Sequence, residues 1–297
     1  MPQSITDLLS LTMPSPLHIF RPDWPGAEGL NIYIKRDDLI HSVISGNKWR
    51  KLSSLFNDSQ SLPSHIVSFG GGYSNHLHAL GYLCKTLNIN CTVIVRGDYS
   101  KNMTPMLIDL KHWQINIRFV DRATYSKRHD KRFLTQLRHQ YDDALIIPEG
   151  GSSSAALTGV SALVDEISVD FDYILAPVAS GATLAGIASS VSSQKTVCGI
   201  AVLKGNQYLE SLVSELMPGP QGNWYVDHRF HGGGYAKQDV ILKDFCHEMQ
   251  ETYNIPVEPV YSGKLFFALK NKIAAGEFAE GSSLIALHTG GLQGARN

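Results

Sequence analysis

A lysine follows a glycine-asparagine pair near the N-terminus, in the segment Ser45-Gly-Asn-Lys-Trp-Arg-Lys-Leu52 that contains Lys48. The chain can turn into a helix at this pair, so backbone geometry would hold the lysine amine in place. A fixed primary amine can attack a carbonyl carbon or take a proton as a general base. Spacing alone favours the plainer alternative of a solvated lysine at a basic helix start. It also predicts surface positions or local pairing for Arg36, Asp37 and Asp38.

Three glycines follow the predicted strand Ile66–Phe69 and lead into a predicted helix that starts at His76. Glycine lets the backbone approach a ligand closely. Ser74 and Asn75 then lie at the helix N-terminus, where hydrogen-bond donors point outward. The structural alternative is that these two residues only cap the helix.

A second turn of small residues follows the predicted strand Tyr173–Val178. Its hydroxyls and the free amides of a helix start can bind a phosphate group without a lysine. The turn matches neither GxxxxGK[ST] nor GxGxxG, so it is not a nucleotide fingerprint. Taken alone, such a turn is a packing device at least as often as an anion site. Its residues are Ser180, Gly181, Ala182, Thr183 and Leu184.

The C-terminal part of the chain holds further hydroxyl groups beside glycine turns. Tyr235 follows three glycines, Tyr261 begins the sequence Tyr-Ser-Gly-Lys, and Thr289 follows the predicted strand Leu284–Leu287. A phenol beside such a turn can face a ligand, and a threonine hydroxyl can bond to a ring nitrogen. Each of these residues, taken separately, also has a structural interpretation.

Several other classes of site lack their motifs. The chain has no GxSxG, HExxH or EF-hand sequence, and its four scattered cysteines form no CxxC pair. His76 and His78 are two apart on a predicted helix and point to different faces, so no metal site is expected. The 26 basic and 27 acidic residues give no basic field for nucleic acid. The absence of a leader sequence and of a long apolar run predicts a cytoplasmic protein with no membrane span.

Short apolar runs alternate with amphipathic stretches along almost the whole chain, which predicts an α/β fold with parallel sheets covered by helices. Ligand sites in such folds lie beyond the carboxyl ends of the strands, where the glycine turns occur. No linker or change of composition marks a domain boundary. Further strands are predicted at Cys91–Val95, Ile115–Val120, Leu145–Pro148 and Val197–Val202.

Taken in order, the motifs from Lys35-Arg-Asp-Asp-Leu39 to His288-Thr-Gly-Gly291 resemble a family that uses pyridoxal 5'-phosphate (PLP). It is the family of 1-aminocyclopropane-1-carboxylate (ACC) deaminase and D-cysteine desulfhydrase, within the tryptophan synthase β-like fold. The resemblance covers nearly the whole chain. It implies a two-lobed homodimer with PLP in the cleft between the lobes. The large PLP-binding domain would comprise residues 1–50 and 158–297, and the small domain residues 51–157.

The resemblance assigns roles residue by residue. Lys48 matches the lysine that holds PLP as a Schiff base, and Asn75 matches the partner of the cofactor's phenolic oxygen. The turn of residues 180–184 matches the phosphate loop, and Thr289 matches the position beside the pyridine nitrogen. The positions that match substrate-facing ones are Ser74, Tyr235, Tyr261 and the loop Gly150–Ser153, where Ser153 replaces the usual asparagine.

Two positions separate the branches of this family. ACC deaminases typically carry Glu after the tyrosine of YxGK and Leu before the late glycine pair, whereas this chain carries Ser262 and Thr289, as in the D-cysteine desulfhydrase branch. A hydroxyl near the ring nitrogen, in place of an acid, makes the pyridine a weaker electron sink, which suits prompt β-elimination. The resemblance therefore implies a lyase that converts D-cysteine to pyruvate, hydrosulfide and ammonia, with Lys48 as the base for the α-proton.

Departures from the pattern keep other functions open. Tyr73 stands where the desulfhydrases usually carry Gln, and His78 and Ala79 replace a commonly basic stretch. The alternatives are an ACC deaminase and a PLP-dependent racemase or lyase that acts on another small amino acid. Two further hypotheses are a PLP-binding protein without lyase activity and a nucleotide-binding oxidoreductase. The last lacks GxGxxG and its downstream acid.

Overall fold

The structure is a computed structural model that describes residues 4–44, 46–56, 62–217, 219 and 222–296. Ser45, the first residue of the lysine motif, lies outside the described residues. Within these ranges ten strands form a six-stranded and a four-stranded sheet. The strands are β1 (Leu17–Phe20), β2 (Asn31–Lys35), β3 (His65–Gly71), β4 (Asn90–Arg96), β5 (Asn116–Val120), β6 (Leu145–Ile147), β7 (Tyr173–Val178), β8 (Thr196–Ala201), β9 (Asn223–Asp227) and β10 (Ser283–Leu287).

Helices connect and cover these strands. Seven of the described α-helices are preceded by a Ser, Thr or Asp whose side-chain oxygen accepts a bond from a backbone N–H of the first turn. Asp239, for example, accepts from the Leu242 N–H at the start of the longest described helix. The helices are α1 (Ile5–Leu8), α2 (Asn47–Ser53), α3 (Asn75–Thr86), α4 (Pro105–His112), α5 (Arg122–Ser126), α6 (Lys131–Gln140), α7 (Ser154–Asp165), α8 (Ala182–Ala188), α9 (Tyr208–Leu216), α10 (Val240–Tyr253) and α11 (Ser262–Ala274).

The six-stranded sheet has the strand order β1-β2-β10-β7-β8-β9. Successive side chains of a strand point to opposite faces, so each buried strand feeds two hydrophobic cores. Leu175 of β7 packs in the core beneath α10 and α11, whereas its neighbours Ile174 and Ala176 pack in the core beneath α8 and α9. This arrangement confirms the α/β prediction. The sheet is parallel as expected except at one edge, where β1 pairs with β2 in the antiparallel direction.

The four-stranded sheet has the order β5-β4-β3-β6 and is parallel throughout. Its strands come from residues 65–147, and it also has a core on each face. Ile66 of β3 packs with α3 and α4, and Val67 packs with residues of α5 and α6. The described residues thus form two sheets, each with its own covering helices. The proposed domain limits at residues 51 and 157 stay a prediction.

The sequence located seven of the ten described strands, including β5 and β6 at the edges of the four-stranded sheet. The predicted strand Tyr173–Val178 coincides with β7, and the predicted Ile66–Phe69 lies inside β3, which runs on to Gly71. The prediction omitted β1, β2 and β9. Two of these, β1 and β9, are the outer strands of the six-stranded sheet, and each lacks the continuous apolar run that identifies a buried strand.

A buried ionic network joins the N-terminal segment to α2 and α7. The Arg50 guanidinium donates to Asp37 Oδ1 at 2.9 Å and to Glu166 Oε2 at 2.8 Å, and Lys35 Nζ donates to Glu166 Oε2 at 2.7 Å. Arg50 is 2% exposed and Asp37 is fully buried. The expected surface position of Asp37 is therefore wrong. Its charge is compensated by Arg50, which is too far along the chain to be recognised as a local partner.

Arg36 and Asp38, the charged residues on either side of Asp37, pair locally as expected but do not lie at the surface. Arg36 forms a two-bond pair with Asp38 at 2.9 and 2.7 Å, which is the local pairing expected, but both residues are buried. The four cysteines are free thiols, three of them buried and Cys246 partly exposed. No helix of the described residues is long and apolar enough to cross a membrane.

Candidate active site

Lys48 lies in the first turn of α2, where this helix starts against the end of β10. Gly46 has a φ of +65°, and a Cβ added there would lie 1.7 Å from the carbonyl oxygen of Thr289. Only glycine fits such a position. The Asn47 N–H donates to the same Thr289 oxygen at 3.3 Å. The structure therefore brings the lysine motif and the late His-Thr-Gly-Gly motif into direct contact.

The Lys48 amine is linked to the turn of residues 180–184. Lys48 Nζ donates to Asn47 Oδ1 at 2.6 Å, and Asn47 Nδ2 donates to Thr183 Oγ1 at 2.9 Å. Burial lowers the pKa of the Lys48 ammonium to about 8, against the opposing attraction of the Glu258 carboxylate. An amine with this pKa has a substantial neutral fraction near neutral pH, which a nucleophile or a base requires.

The turn of residues 180–184 offers backbone donors at the start of α8. Gly181 has a φ of +81° and no side chain that could cap the helix, which leaves the first N–H groups to other acceptors. Ala182 and Leu184 direct their side chains into the core, so only their backbone groups can meet a ligand. This geometry fits an anion at the helix start.

Lys51, which sequence reasoning did not single out, reaches the same turn. Its Nζ donates to Ser180 Oγ at 3.2 Å and to the Gly150 carbonyl at 3.4 Å. Lys51 is 4% exposed, and burial together with the charge of Lys48 lowers its pKa well below the ordinary value. The signal that could have found it is its spacing, because residues three apart on a helix share a face with each other.

Asn75 begins α3 and meets the C-terminal segment. A Cβ added at Gly291 would lie 2.4 Å from Asn75 Nδ2, so the glycine permits a close approach of the two motifs. Gln293 Nε2 donates to Asn75 Oδ1 and, at 3.3 Å, to the Tyr73 carbonyl. The amide of Asn75 therefore lies between α3 and the segment that follows Thr289.

Ser74 and Ser153 are helix N-caps. Ser74 Oγ accepts from the Leu77 N–H at 3.2 Å, and Ser153 Oγ accepts from the Ala156 N–H at 3.3 Å. The capping interpretation of Ser74 is thus what the structure shows. As acceptors in these bonds, both hydroxyls keep their own protons and can still donate to a ligand.

Tyr235 and Tyr261 form a phenol pair. Their hydroxyl oxygens are 3.0 Å apart, and the rings meet edge to face with centroids 6.0 Å apart. Tyr235 is 52% exposed, so the pair is open to solvent on one side. Burial raises the pKa of both phenols, which keeps them protonated at neutral pH. The pair can therefore donate a proton to a bound group.

A buried carboxylate, Glu258, stands beside this pair and was missed by sequence reasoning. Its Oε1 accepts from the N–H groups of Tyr261 at 2.7 Å and Ser262 at 2.9 Å, and its Oε2 accepts from Val260 at 2.7 Å. Burial raises its pKa to about 7 despite these bonds. Its negative charge acts on Lys48, Tyr235 and Tyr261 alike, which places the phenol pair and the lysine in one electrostatic environment.

The hydroxyl of Ser262, at the start of α11, is hydrogen-bonded to Glu258. It accepts from the Glu258 N–H at 3.0 Å and lies 3.3 Å from Glu258 Oε1. Ser262 is fully buried. The residue that distinguishes the family branches therefore fixes the relation between Glu258 and α11.

His76 lies close to the two lysines but is not placed to bind a metal with His78. Ser68 Oγ donates to the Ile147 carbonyl at 2.8 Å, so it accepts from His76 Nε2 at 2.8 Å. Burial and the charges of Lys48 and Lys51 lower the pKa of His76 to about 3. His78 bonds instead to Asp109 at 2.8 Å. Among the described residues no group of metal-ligating side chains comes together.

The sequence and the fold both resemble those of known proteins. A model of the family described as pyridoxal-phosphate dependent enzyme matches residues 13–290. The chain belongs to this family. It is therefore a PLP-dependent enzyme, with pyridoxal 5'-phosphate as its cofactor, and the nucleotide-binding oxidoreductase hypothesis is excluded.

Individual relatives narrow the group. A putative ACC deaminase of Pyrococcus horikoshii is 28% identical over 90% of this chain and 86% of its own length. A bifunctional D-cysteine desulfhydrase/ACC deaminase of Arabidopsis thaliana, described as mitochondrial, is 28% identical over 95% of this chain and 77% of its own. The crystal structure of an ACC deaminase homologue has a TM-score of 0.80 and 26% identity, and covers 99% of this chain and 97% of that one. The chain is thus a PLP-dependent lyase of the ACC deaminase and D-cysteine desulfhydrase group.

The side chains around α2 fit this cofactor. Lys51 is a buried lysine whose bonded partners in the described part of the chain are a hydroxyl and a carbonyl, so the negative charge of a phosphate would favour its ammonium form and pair with it. Free N–H groups at the start of α8 suit the same phosphate. The amine of Lys48, with its lowered pKa, suits an aldehyde carbon.

Proposed function

We propose that this enzyme catalyses β-elimination on D-cysteine, with pyruvate, hydrosulfide and ammonia as products. The observation that carries the proposal is the phenol pair Tyr235 and Tyr261 beside an α11 start that bears Ser262 in place of the typical glutamate. A protonated phenol can protonate a departing sulfur. Thr289 in place of Leu supports the same branch.

PLP would be held by groups that lie around the starts of α2, α3 and α8. Lys48 would bind its aldehyde carbon, Asn75 its phenolic oxygen and Thr289 would lie at its ring nitrogen. The turn of residues 180–184, with Lys51, would hold its phosphate. When bound, PLP withdraws electrons from the α-carbon of an amino acid and so makes the α-proton acidic.

Side chains of this chain would transfer the protons and bind the substrate carboxylate. Lys48 Nζ would take the α-proton, because its pKa of about 8 lets it accept and release a proton at neutral pH. Tyr261, with Tyr235, would donate a proton to the sulfur that leaves the β-carbon. Ser74, which keeps its hydroxyl proton, would donate to the substrate carboxylate. The product that has lost hydrosulfide still carries the amino nitrogen. Water replaces this nitrogen, so one molecule of D-cysteine and one of water give pyruvate, hydrosulfide and ammonia.

The substrate assay tests this proposal directly. Purified enzyme is offered D-cysteine, L-cysteine, D-serine, β-chloro-D-alanine and ACC, and pyruvate, 2-oxobutyrate and sulfide are measured. We expect pyruvate and sulfide in equal amounts from D-cysteine and little 2-oxobutyrate from ACC. ACC as the one good substrate would establish instead the activity named for the Pyrococcus relative. A racemase would interconvert enantiomers without keto acid.

The assembly and its location are parts of the same proposal. We propose a homodimer in the cytoplasm, with a large domain of residues 1–50 and 158–297 and a small domain of residues 51–157. Sedimentation velocity of the holoenzyme measures the assembly. A species of twice the chain mass of 32.7 kDa is expected, and a monomer at assay concentrations would contradict it.

A further inference from the structure

Lys264 is a buried lysine whose ammonium is surrounded by backbone carbonyl groups. Its Nζ donates to the carbonyls of Val202 at 3.0 Å, His231 at 2.7 Å and Gly234 at 2.8 Å, and the residue is fully buried. Among the described residues no carboxylate lies within ion-pair distance of it. An ammonium with three carbonyl acceptors has all of its protons used. We infer that Lys264 is a built-in cation that positions Tyr235 against Tyr261. The inference deepens the proposed function, on which it rests.

The loop between β9 and α10 depends on this cation. Three consecutive glycines, Gly232 to Gly234, have φ values of +60°, +88° and +132°, a backbone path that other residues rarely follow. Such a segment is flexible unless it is bonded elsewhere. The carbonyls of His231 and Gly234 bracket the glycines, and both are held by the same Nζ.

Tyr235 follows Gly234 directly, so the bond that fixes the Gly234 carbonyl also fixes where Tyr235 begins. On the other side, Lys264 lies three residues after Tyr261 on α11, within one helical turn. The third acceptor, Val202, follows the end of β8. One ammonium thus ties the glycine loop to α11 and to a strand end, and the two phenols stand on the two elements that it joins.

The charges around Lys264 indicate that this residue does not stabilise α11 by its position in the helix. A cation in the first turn of a helix is repelled by the partial positive charge of the helix N-terminus. Burial adds a desolvation cost and lowers the pKa of Lys264 to about 8, although the charge of Glu258 opposes the effect. The three carbonyl oxygens compensate the charge at this position, so the bonds to the loop and to the end of β8 are the stabilising interactions that the ammonium makes.

A cation held by carbonyls can be replaced by a free ion of the same size. Backbone carbonyls coordinate K⁺ in selective sites, and K⁺ resembles an ammonium group in radius. Lys264→Ala would leave the carbonyls facing a cavity with room for such an ion. Lys264→Met would fill the same space with an apolar side chain and leave no room. Both variants remove the charge of Lys264, but only Lys264→Ala leaves a space in which K⁺ can replace it.

The first test measures the loop without using catalysis. Hydrogen exchange of the Gly234 and Lys237 amides, which bond to the His231 and Gly234 carbonyls, is followed in the holoenzyme by mass spectrometry. In Lys264→Ala we expect exchange at least about tenfold faster in tetramethylammonium chloride than in KCl at equal ionic strength. Lys264→Met should exchange fast in both salts. Wild type should be slow in both.

The second test measures the phenol pair through turnover of D-cysteine. Displacement of a positioned group by about 1 Å can cost about 10²-fold, so kcat of Lys264→Ala should fall by this order and recover at least about tenfold in KCl. KCl is used because ammonia is a product of the proposed reaction. Lys270→Ala is the control. It removes another lysine of α11, one that pairs with Glu248 of α10, and it should keep wild-type kcat in both salts.

The outcomes are distinct. Equal exchange rates of Lys264→Ala in both salts, or K⁺ rescue of Lys264→Met as well, would overturn the assignment of a carbonyl-held cation. K⁺-dependent exchange with unchanged kcat would overturn the positioning role. If wild type turned over no D-cysteine, the proposed function would fail, while the exchange experiment would still decide whether Lys264 holds the loop.

Discussion

Lys51 Nζ lies 3.2 Å from Ser180 Oγ, which joins α2 to the turn that begins α8. The two residues are 129 positions apart in the chain. Because Lys51 and Lys48 stand on one helix, the same element can present an amine to an aldehyde and an ammonium to a phosphate.

Lys51→Met should weaken PLP binding. A hydrogen bond to a charged group contributes about 1.5–3 kcal/mol, which corresponds to a loss of about 10- to 150-fold in affinity. The measurement is equilibrium titration of the cofactor-free variant with PLP. Lys85→Met, on the solvent side of α3, is the matched control. Unchanged affinity in Lys51→Met would separate Lys51 from the phosphate.

Ser262→Glu should destabilise the protein rather than convert its substrate preference. The new carboxylate would be buried beside Glu258, and two like charges at one site raise the cost of ionising both. We expect a loss of about 2 kcal/mol or more in the free energy of unfolding, against about 1 kcal/mol for Ser262→Ala. Urea denaturation of both variants measures the difference. A Ser262→Glu protein as stable as wild type would refute the structural role given to Ser262.

The rate of PLP uptake by cofactor-free enzyme should rise with pH through about 8. Only the neutral amine of Lys48 attacks an aldehyde, and its neutral fraction grows as pH rises through its lowered pKa of about 8. Glu258 holds this pKa up, so Glu258→Gln should move the midpoint to lower pH. Stopped-flow absorbance measures the rate. A midpoint near the ordinary lysine value of 10.5 would contradict the burial of Lys48.

Arg50→Met should strongly destabilise the fold. The change would leave the buried Asp37 and the partly exposed Glu166 with fewer compensating charges, and removal of one partner from a buried ion pair such as Arg50–Asp37 costs about 3–5 kcal/mol. Arg132→Met, at an exposed position, is the control. Denaturant midpoints of the two variants should differ clearly. Equal midpoints would show that the network contributes little to stability.

Much of this site followed from local sequence. The glycine turns at Gly46 and Gly181 mark places where the backbone adopts positive φ, and such marks are visible without a structure. Interior strands such as β7 were equally visible, because burial on both faces produces a continuous apolar run. These features depend on neighbours in the chain.

Features that depend on distant partners were not visible. Glu258 is a mixed case: its carboxylate accepts from N–H groups only two to four residues further on, which is a local pattern, but its burial depends on the fold. Lys264 requires carbonyls from residues 202, 231 and 234, which no spacing rule brings together. Asp37 appeared as a surface charge because its burial is compensated by Arg50, a residue of another element of the fold. Long-range pairing is a property of the fold and cannot be inferred from one local pattern.

The central claim is that Lys48 carries the cofactor. Reduction of the holoenzyme with sodium borohydride fixes PLP covalently to the lysine that holds it, and proteolysis with mass spectrometry then locates the modified residue. We predict modification of Lys48 and a loss of both the label and the visible absorbance band in Lys48→Ala. Two other buried lysines with lowered pKa, Lys51 and Lys264, lie in the same region. Label on either of them, with Lys48 unmodified, would contradict the account.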